Sequence, residues 1–111
     1  MKLWVDDVRP APEGYVWCKS VNQAKRFIDK CDWDENAYGS IDFQNHIELI
    51  DLDHDAGDFY NDGGDYIELL TWFEETGRNY PIRIHSMNIV GVQNMRRIIE
   101  RNGWKEVKQY D

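Results

Sequence analysis

Three short runs carry the side chains best suited to chemistry: Asp6-Asp7, Asp53-His54-Asp55, and His85-Ser86 with Asn88 two positions further on. Carboxylates are hard oxygen donors for a divalent cation, and imidazole exchanges a proton close to neutral pH. Carboxylates gathered in one place repel one another unless one is protonated or a cation lies among them. A site built from Asp6, Asp7 and Asp53 therefore predicts a bound divalent cation, Mg²⁺ or Mn²⁺. With His54 and His85 flanking the same space, the two imidazoles would divide general-base and general-acid work on a phosphate ester.

Each run also has a plainer reading. Asp6-Asp7 precedes Pro10, and aspartate readily bonds nearby backbone in turns. His54 between two aspartates could be a structural histidine held by a carboxylate, and His85-Ser86 with Asn88 could be only a helix-capping turn. Six of the thirteen aspartates lie between Asp51 and Asp65. Their spacing lacks the glutamate that closes an EF-hand loop, so Asp58 and Asp62 read as solvated loop residues. What favours chemistry is position: all three runs fall at the ends of expected strands, a coincidence each plain reading would have to produce separately.

The elements that must position these residues follow from apolar patterning. Leu3-Trp4-Val5 is a short strand ending at Asp6-Asp7, and Pro10 and Pro12 bar an immediate helix. Tyr15-Val16-Trp17-Cys18 is aromatic and β-branched, as strands prefer. Ser20, with Gln23 three residues on, forms a capping box for a helix whose Val21, Ala24, Phe27, Ile28 and Cys31 share one face. The polar stretch Asp32 to Asn45, broken by Gly39 and Ser40, reads as a surface connection. Ile47 to Leu52 is a buried strand delivering Asp53. A glycine-containing loop then leads to a helix with Tyr66, Leu69, Leu70 and Phe73 in one stripe and Gly77 as its stop. Ile82-Arg83-Ile84 is a strand ending at His85. Asn88 caps a last helix, with Val92, Met95 and Ile99 inward and Asn102-Gly103 at its close. Trp104 to Tyr110 is a candidate edge strand. His46 falls at the opposite end of the sheet from the other two histidines.

Strands alternating with helices predict a parallel sheet with right-handed crossovers, hence a doubly wound sandwich. Ligands of such sheets bind beyond the carboxyl ends of the strands. Only the connection from Asp7 to Gly14 is too short for a helix, which leaves an irregular crossover or a hairpin-like turn.

A length of 111 residues predicts one domain spanning residues 1–111. A net charge of −8 and a pI near 4.8 oppose binding to extended nucleic acid or to an anionic membrane. They leave room for a small phosphate ester, a nucleotide or a single nucleic-acid terminus at a metal-loaded crevice. Aromatic content of 14% opposes disorder. Cys18 and Cys31 form no C-x-x-C pair, no signal-like segment opens the chain, and no apolar run approaches the roughly 18 residues of a membrane span. The expectation is a cytoplasmic protein with reduced thiols.

Four motifs, Leu3-Trp4-Val5-Asp6-Asp7-Val8-Arg9-Pro10, Leu52-Asp53-His54-Asp55-Ala56-Gly57, Gly63-Gly64-Asp65-Tyr66 and His85-Ser86-Met87-Asn88, are spread over nearly the whole chain. Together they resemble the cyclic-phosphate processing receiver domain family, related to the receiver domains of response regulators. The resemblance implies an α/β fold: a three-layer, receiver-like (flavodoxin-like) sandwich with a mostly parallel sheet of four or five strands and the first helix missing or shortened. It implies that Asp6 and Asp7 help to hold Mg²⁺, that Asp53 occupies the phosphoryl-accepting position and that the Ser86 hydroxyl contacts the phosphoryl group. The lysine of ordinary receivers has no clear counterpart; Lys105 and Lys108 lie in the tail, and Arg9 is a substitute cation. Histidines at 54 and 85 depart from the receiver pattern and shift the site toward acid–base chemistry. Ile89 stands where the closer family has proline.

Three functions follow as expectations. The first is a phosphoesterase processing a cyclic phosphate, of a nucleotide or an RNA 2′,3′-cyclic end. In it His54 and His85 serve as acid and base, Asp55 orients a histidine or water, Ser86 and Asn88 donate hydrogen bonds, and Arg9 binds phosphate. The second is a signalling module phosphorylated on Asp53, and the third a non-catalytic cyclic-nucleotide binder. The first ranks highest.

Overall fold

The apolar runs become four strands: β1 (Lys2–Val5), β2 (Tyr15–Cys18), β3 (Leu49–Leu52) and β4 (Ile82–Ile84). They form one parallel sheet in the order β2-β1-β3-β4. Among the described residues three α-helices accompany it: α1 (Val21–Tyr38), α2 (Ile67–Thr76) and α3 (Ile89–Asn102). This is a receiver-like α/β fold. The structure, a computed structural model, describes residues 1–38 and 46–108, with 33–38 described by their backbone alone.

Side chains alternate across a strand, and here the two faces differ in chemistry. Leu3, Val5, Cys18, Ile50, Leu52 and Ile82 join Val21, Ala24 and Ile28 of α1, Leu69, Leu70 and Phe73 of α2, and Met95, Ile98 and Ile99 of α3 in a single apolar cluster. Full burial of one such large side chain stabilises by roughly 1.5–3 kcal/mol. That cluster is what lets the sheet tolerate buried charge elsewhere. Trp4, Tyr15, Trp17, Asp51 and Arg83 have the opposite parity, and among them Asp51 is fully buried and Arg83 nearly so.

No helix separates β1 from β2, as the two prolines require. The connection is an irregular parallel crossover, not a hairpin, and two indoles fasten it: Trp4 Nε1 donates to the Arg9 carbonyl at 2.9 Å and Trp17 Nε1 to the Asp6 carbonyl at 2.7 Å. Ser20 caps α1, its Oγ accepting from the Gln23 N–H at 3.0 Å. The Gln23 side chain accepts from the Lys19 N–H at 2.8 Å, one residue before the position an ideal capping box uses. At the other helix ends, Asn88 Oδ1 accepts from the Gly91 N–H at 2.9 Å, and Gly77 and Gly103 close α2 and α3 in the left-handed conformation.

Three expectations need correcting. The stretch from Asp32 is helical through Tyr38, because α1 is already nucleated there and no glycine or proline interrupts it; the rest of that connection, 39–45, lies outside the described residues. Asp32 is also anchored, accepting from Arg78 Nε and from the Tyr80 hydroxyl, each at 3.0 Å. The tail makes one parallel bridge, Ile82 with Glu106, where an edge strand was expected; residues 109–111 lie outside the described residues. Asp62 is not merely solvated: Ser20 Oγ at 2.6 Å and Asn22 Nδ2 at 3.1 Å donate to it and hold its carboxyl below the ordinary range. Asp58 is exposed, as expected. Both cysteines are buried, and among the described residues neither forms a disulfide. Among the described residues, no helix is long and apolar enough to cross a membrane.

Candidate functional site

Strand register does most of the positioning. Trp4 pairs with Asp51 and Asp51 with Arg83, so these three form a row across β1, β3 and β4. Two residues further along, on the same face, Asp6, Asp53 and His85 form the next row just past the strand ends. Backbone hydrogen bonds carry the ladder that far: Asp53 N–H to Val5 O at 2.9 Å and His85 N–H to Leu52 O at 3.0 Å.

Asp6 is fully buried and uses both carboxylate oxygens. Oδ1 accepts from the backbone N–H groups of Val8 at 3.0 Å and Arg9 at 2.9 Å, while Oδ2 lies 2.9 Å from His85 Nε2. The turn-forming reading of this residue is therefore correct, and the same carboxylate also reaches His85. Burial alone would raise the Asp6 carboxyl; the two N–H donors and the imidazole outweigh it and hold the group below its ordinary value of 3.8. Asp7 shows the opposite balance. Partial burial, reinforced by the charges of Asp6 and Asp53, pushes its carboxyl up. Gly57 packs so closely on Asp7 that a Cβ there would collide with Oδ2.

Ligand oxygens of Asp6, Asp7 and Asp53 lie within 4.8 Å of one another. Opposite ligands of an octahedral Mg²⁺ stand ~4.2 Å apart, so the spacing suits a small hard cation with little adjustment. Asp7, raised by partial burial and then by its carboxylate neighbours, is the group such a cation would relieve. Both the donor chemistry and the electrostatics fit a divalent ion.

The two histidines part company. His85 is 6% exposed in its side chain and is enclosed. Nδ1 lies 2.6 Å from Asp51 Oδ1, Nε2 faces Asp6, and the ring stacks on Trp4 with centroids 3.8 Å apart and planes 5° from parallel. His54 has the other parity and turns toward α3. Its Nδ1 lies 2.7 Å from Asp55 Oδ1, and Asn88 Nδ2 donates to the same oxygen at 3.2 Å. The His54 contact, with help from Asn88, holds the Asp55 carboxyl below its ordinary range. The structure thus groups His54, Asp55 and Asn88, groups His85 with Asp6, and does not bring the two imidazoles to one space.

Asp53 Oδ1 accepts from the His54 N–H at 2.7 Å. Ser86 Oγ accepts from the Asn88 N–H at 3.1 Å, which leaves its own O–H available to donate. Arg9 is exposed, with Nη1 3.4 Å from the His85 carbonyl, at the rim of the same crevice. Lys105 is at the wrong end of the sheet to serve as a receiver-type lysine, since its carbonyl accepts from Ile82 at the start of β4. His46 is also at that far end, its carbonyl accepting from the N-terminal amine at 2.8 Å.

Gly91 was not singled out by sequence, although a glycine in the first turn of an apolar-striped helix is a signal of close approach. A Cβ there would be driven into the His54 ring. Alanine ordinarily favours a helix over glycine by about 1 kcal/mol; here Gly91→Ala is expected to destabilise by roughly 1–3 kcal/mol through overpacking and to displace the His54 ring resonances. Thermal melting with histidine NMR checks both, and a variant at least as stable as the parent with unmoved His54 signals would contradict the contact. Trp4 was likewise missed as a site residue, though the period of two places it on the Asp6 face just as it places Asp51 on the Asp53 face.

In comparisons with known proteins, no curated protein matches the chain, and no solved structure does. One family model matches residues 1–101, and the chain belongs to the family it describes, the cyclic-phosphate processing receiver domain.

Proposed function

We propose that the protein hydrolyses a cyclic phosphate ester, of a nucleotide or of an RNA 2′,3′-cyclic end, in the crevice beyond the strand ends. The observation that carries this reading is the convergence of three carboxylates within 4.8 Å next to a histidine oriented by a carboxylate, in a chain of this family. Asp6, Asp7 and Asp53 are the residues that would hold Mg²⁺ or Mn²⁺. When bound, that cation supplies positive charge to the non-bridging phosphoryl oxygens.

The chain's own residues do the rest. Hydrolysis joins a water oxygen to phosphorus and breaks one P–O bond of the cyclic ester. His54, with Nδ1 engaged by Asp55, has Nε2 on the ring edge away from Gly91; that nitrogen takes the proton of the attacking water and returns one to the departing alkoxide. Ser86 donates its O–H to a phosphoryl oxygen, Asn88 keeps Asp55 and His54 together, and Arg9 offers its guanidinium at the rim. His85, with both nitrogens committed to carboxylates, holds Asp6 in place.

A panel of 2′,3′- and 3′,5′-cyclic nucleotides with Mg²⁺ or Mn²⁺ tests the proposal. Turnover is expected, and His54→Ala is expected to lower kcat about 10²–10⁴-fold. Tight binding with the ligand recovered intact would favour a non-catalytic binder. A labile adduct on Asp53 after incubation with a small phosphodonor, without turnover, would favour a signalling module. Either result sinks hydrolysis.

A further inference from the structure

Asp51 is a carboxylate in the middle of a parallel sheet, fully buried, and is not one of the three carboxylates proposed to hold the cation. It lies in the row behind them. Its Oδ1 is 2.6 Å from His85 Nδ1 and its Oδ2 is 3.4 Å from Arg83 Nη1. On the far side of the same ring, His85 Nε2 is 2.9 Å from Asp6 Oδ2. Trp4, register partner of Asp51, closes the ring from one face.

We propose that Asp51 is a positioning residue of the acidic site, fixing the His85 ring so that its Nε2 holds the Asp6 carboxylate in the orientation a divalent cation needs. The proposal rests on the cation reading given above. An imidazole can rotate about its Cβ–Cγ bond, and rotation would take Nε2 away from Asp6. The carboxylate at Nδ1 opposes that rotation, and the parallel stack on Trp4 confines the ring to one plane. Asp6 is then held at both oxygens, by the Val8 and Arg9 N–H groups on one side and by His85 on the other. Partners that orient a metal ligand from behind commonly change metal affinity by about 10–100-fold when lost.

Two variants remove the hold in different ways. Asp51→Ser keeps a polar oxygen at the buried position but is one bond too short to reach Nδ1. Asp51→Leu with Arg83→Leu removes both charges while keeping the volume, an exchange that folds commonly tolerate. Asp51→Asn restores an acceptor oxygen at the original reach. Calorimetric titration with Mn²⁺ alone is expected to show binding weakened about 10–100-fold in the first two and largely recovered in Asp51→Asn. Loss variants that bind Mn²⁺ as tightly as the parent, or an Asp51→Asn variant as weak as they are, would overturn the proposal. Should one loss variant fail to fold, the other carries the comparison. If the parent itself takes no Mn²⁺, the cation reading fails separately. Asp51 is then judged by the His85 ring ¹⁵N resonances: both are expected to shift in Asp51→Ser, and an unmoved Nε2 would overturn its role.

Discussion

Replacing His85 by alanine is expected to destabilise the protein by about 3–5 kcal/mol, the range seen when one partner of a buried charged group is deleted. Asp6 and Asp51 are both fully buried, and the His85 side chain separates them. Without the imidazole, each carboxylate loses a hydrogen-bond partner and the two face each other across a cavity that no protein group fills. Asp51 keeps Arg83 at 3.4 Å and Asp6 keeps its two backbone donors, so the fold is weakened and not abolished outright. Trp4 also loses its stacking partner. A domain of this size has a total stability of about 5–15 kcal/mol, so the loss is a large fraction and is measurable by urea unfolding. Adding Asp51→Asn to His85→Ala is expected to recover part of it, because the two sites share one partner and are coupled. A loss below about 1 kcal/mol for His85→Ala would show that the carboxylates do not depend on the ring.

Asp7→Asn is expected to make the metal-free protein more stable and to abolish its response to Mn²⁺. The Asp7 carboxyl is raised on folding by partial burial and then by its neighbours Asp6 and Asp53. A group raised on folding contributes most below its unfolded value, near 3.8 here, and loses that contribution as pH rises through the folded value. At neutral pH, above the unfolded value, Asp7 therefore weighs against the fold, and asparagine removes the charge. The parent should gain about 2.7 kcal/mol when Mn²⁺ is present at 100 times its dissociation constant; the variant should gain little. Asp6 has the reverse sign. Its lowered carboxyl contributes above the unfolded value and stops contributing as pH falls through the folded one. Thermal melts across pH, with and without Mn²⁺, separate the two aspartates. An Asp7→Asn variant less stable than the metal-free parent, or as responsive to Mn²⁺, would contradict the account.

Strand identity and the residues at strand ends were legible because they depend on local patterning. Leu3 to Val5 is an apolar run and Ile82-Arg83-Ile84 alternates apolar and polar, each closed by polar residues, and Asn88, Gly77 and Gly103 are end signals with a local mechanism. The family and its fold were legible from the four motifs taken together. Side-chain partners across the sheet were not. His85 and His54 looked equivalent in sequence, yet parity along different strands sends one against Trp4 and the other against Gly91, and that difference exists only once β1, β3 and β4 are in register. Helix α1 past Asp32 was missed for a different reason: the apolar stripe ends there, while the helix continues by propagation without it.

The order of the strands has a consequence for biosynthesis. β1 is made first but lies between β2 and β3, and the row of Asp6, Asp53 and His85 draws on β1, β3 and β4. Contacts between segments so far apart in the chain form late, after the intervening loops have been closed. A nascent chain therefore cannot complete this row until residue 85 has been translated, and a product that ends between residues 53 and 84 carries Asp6 and Asp53 without the ring of His85.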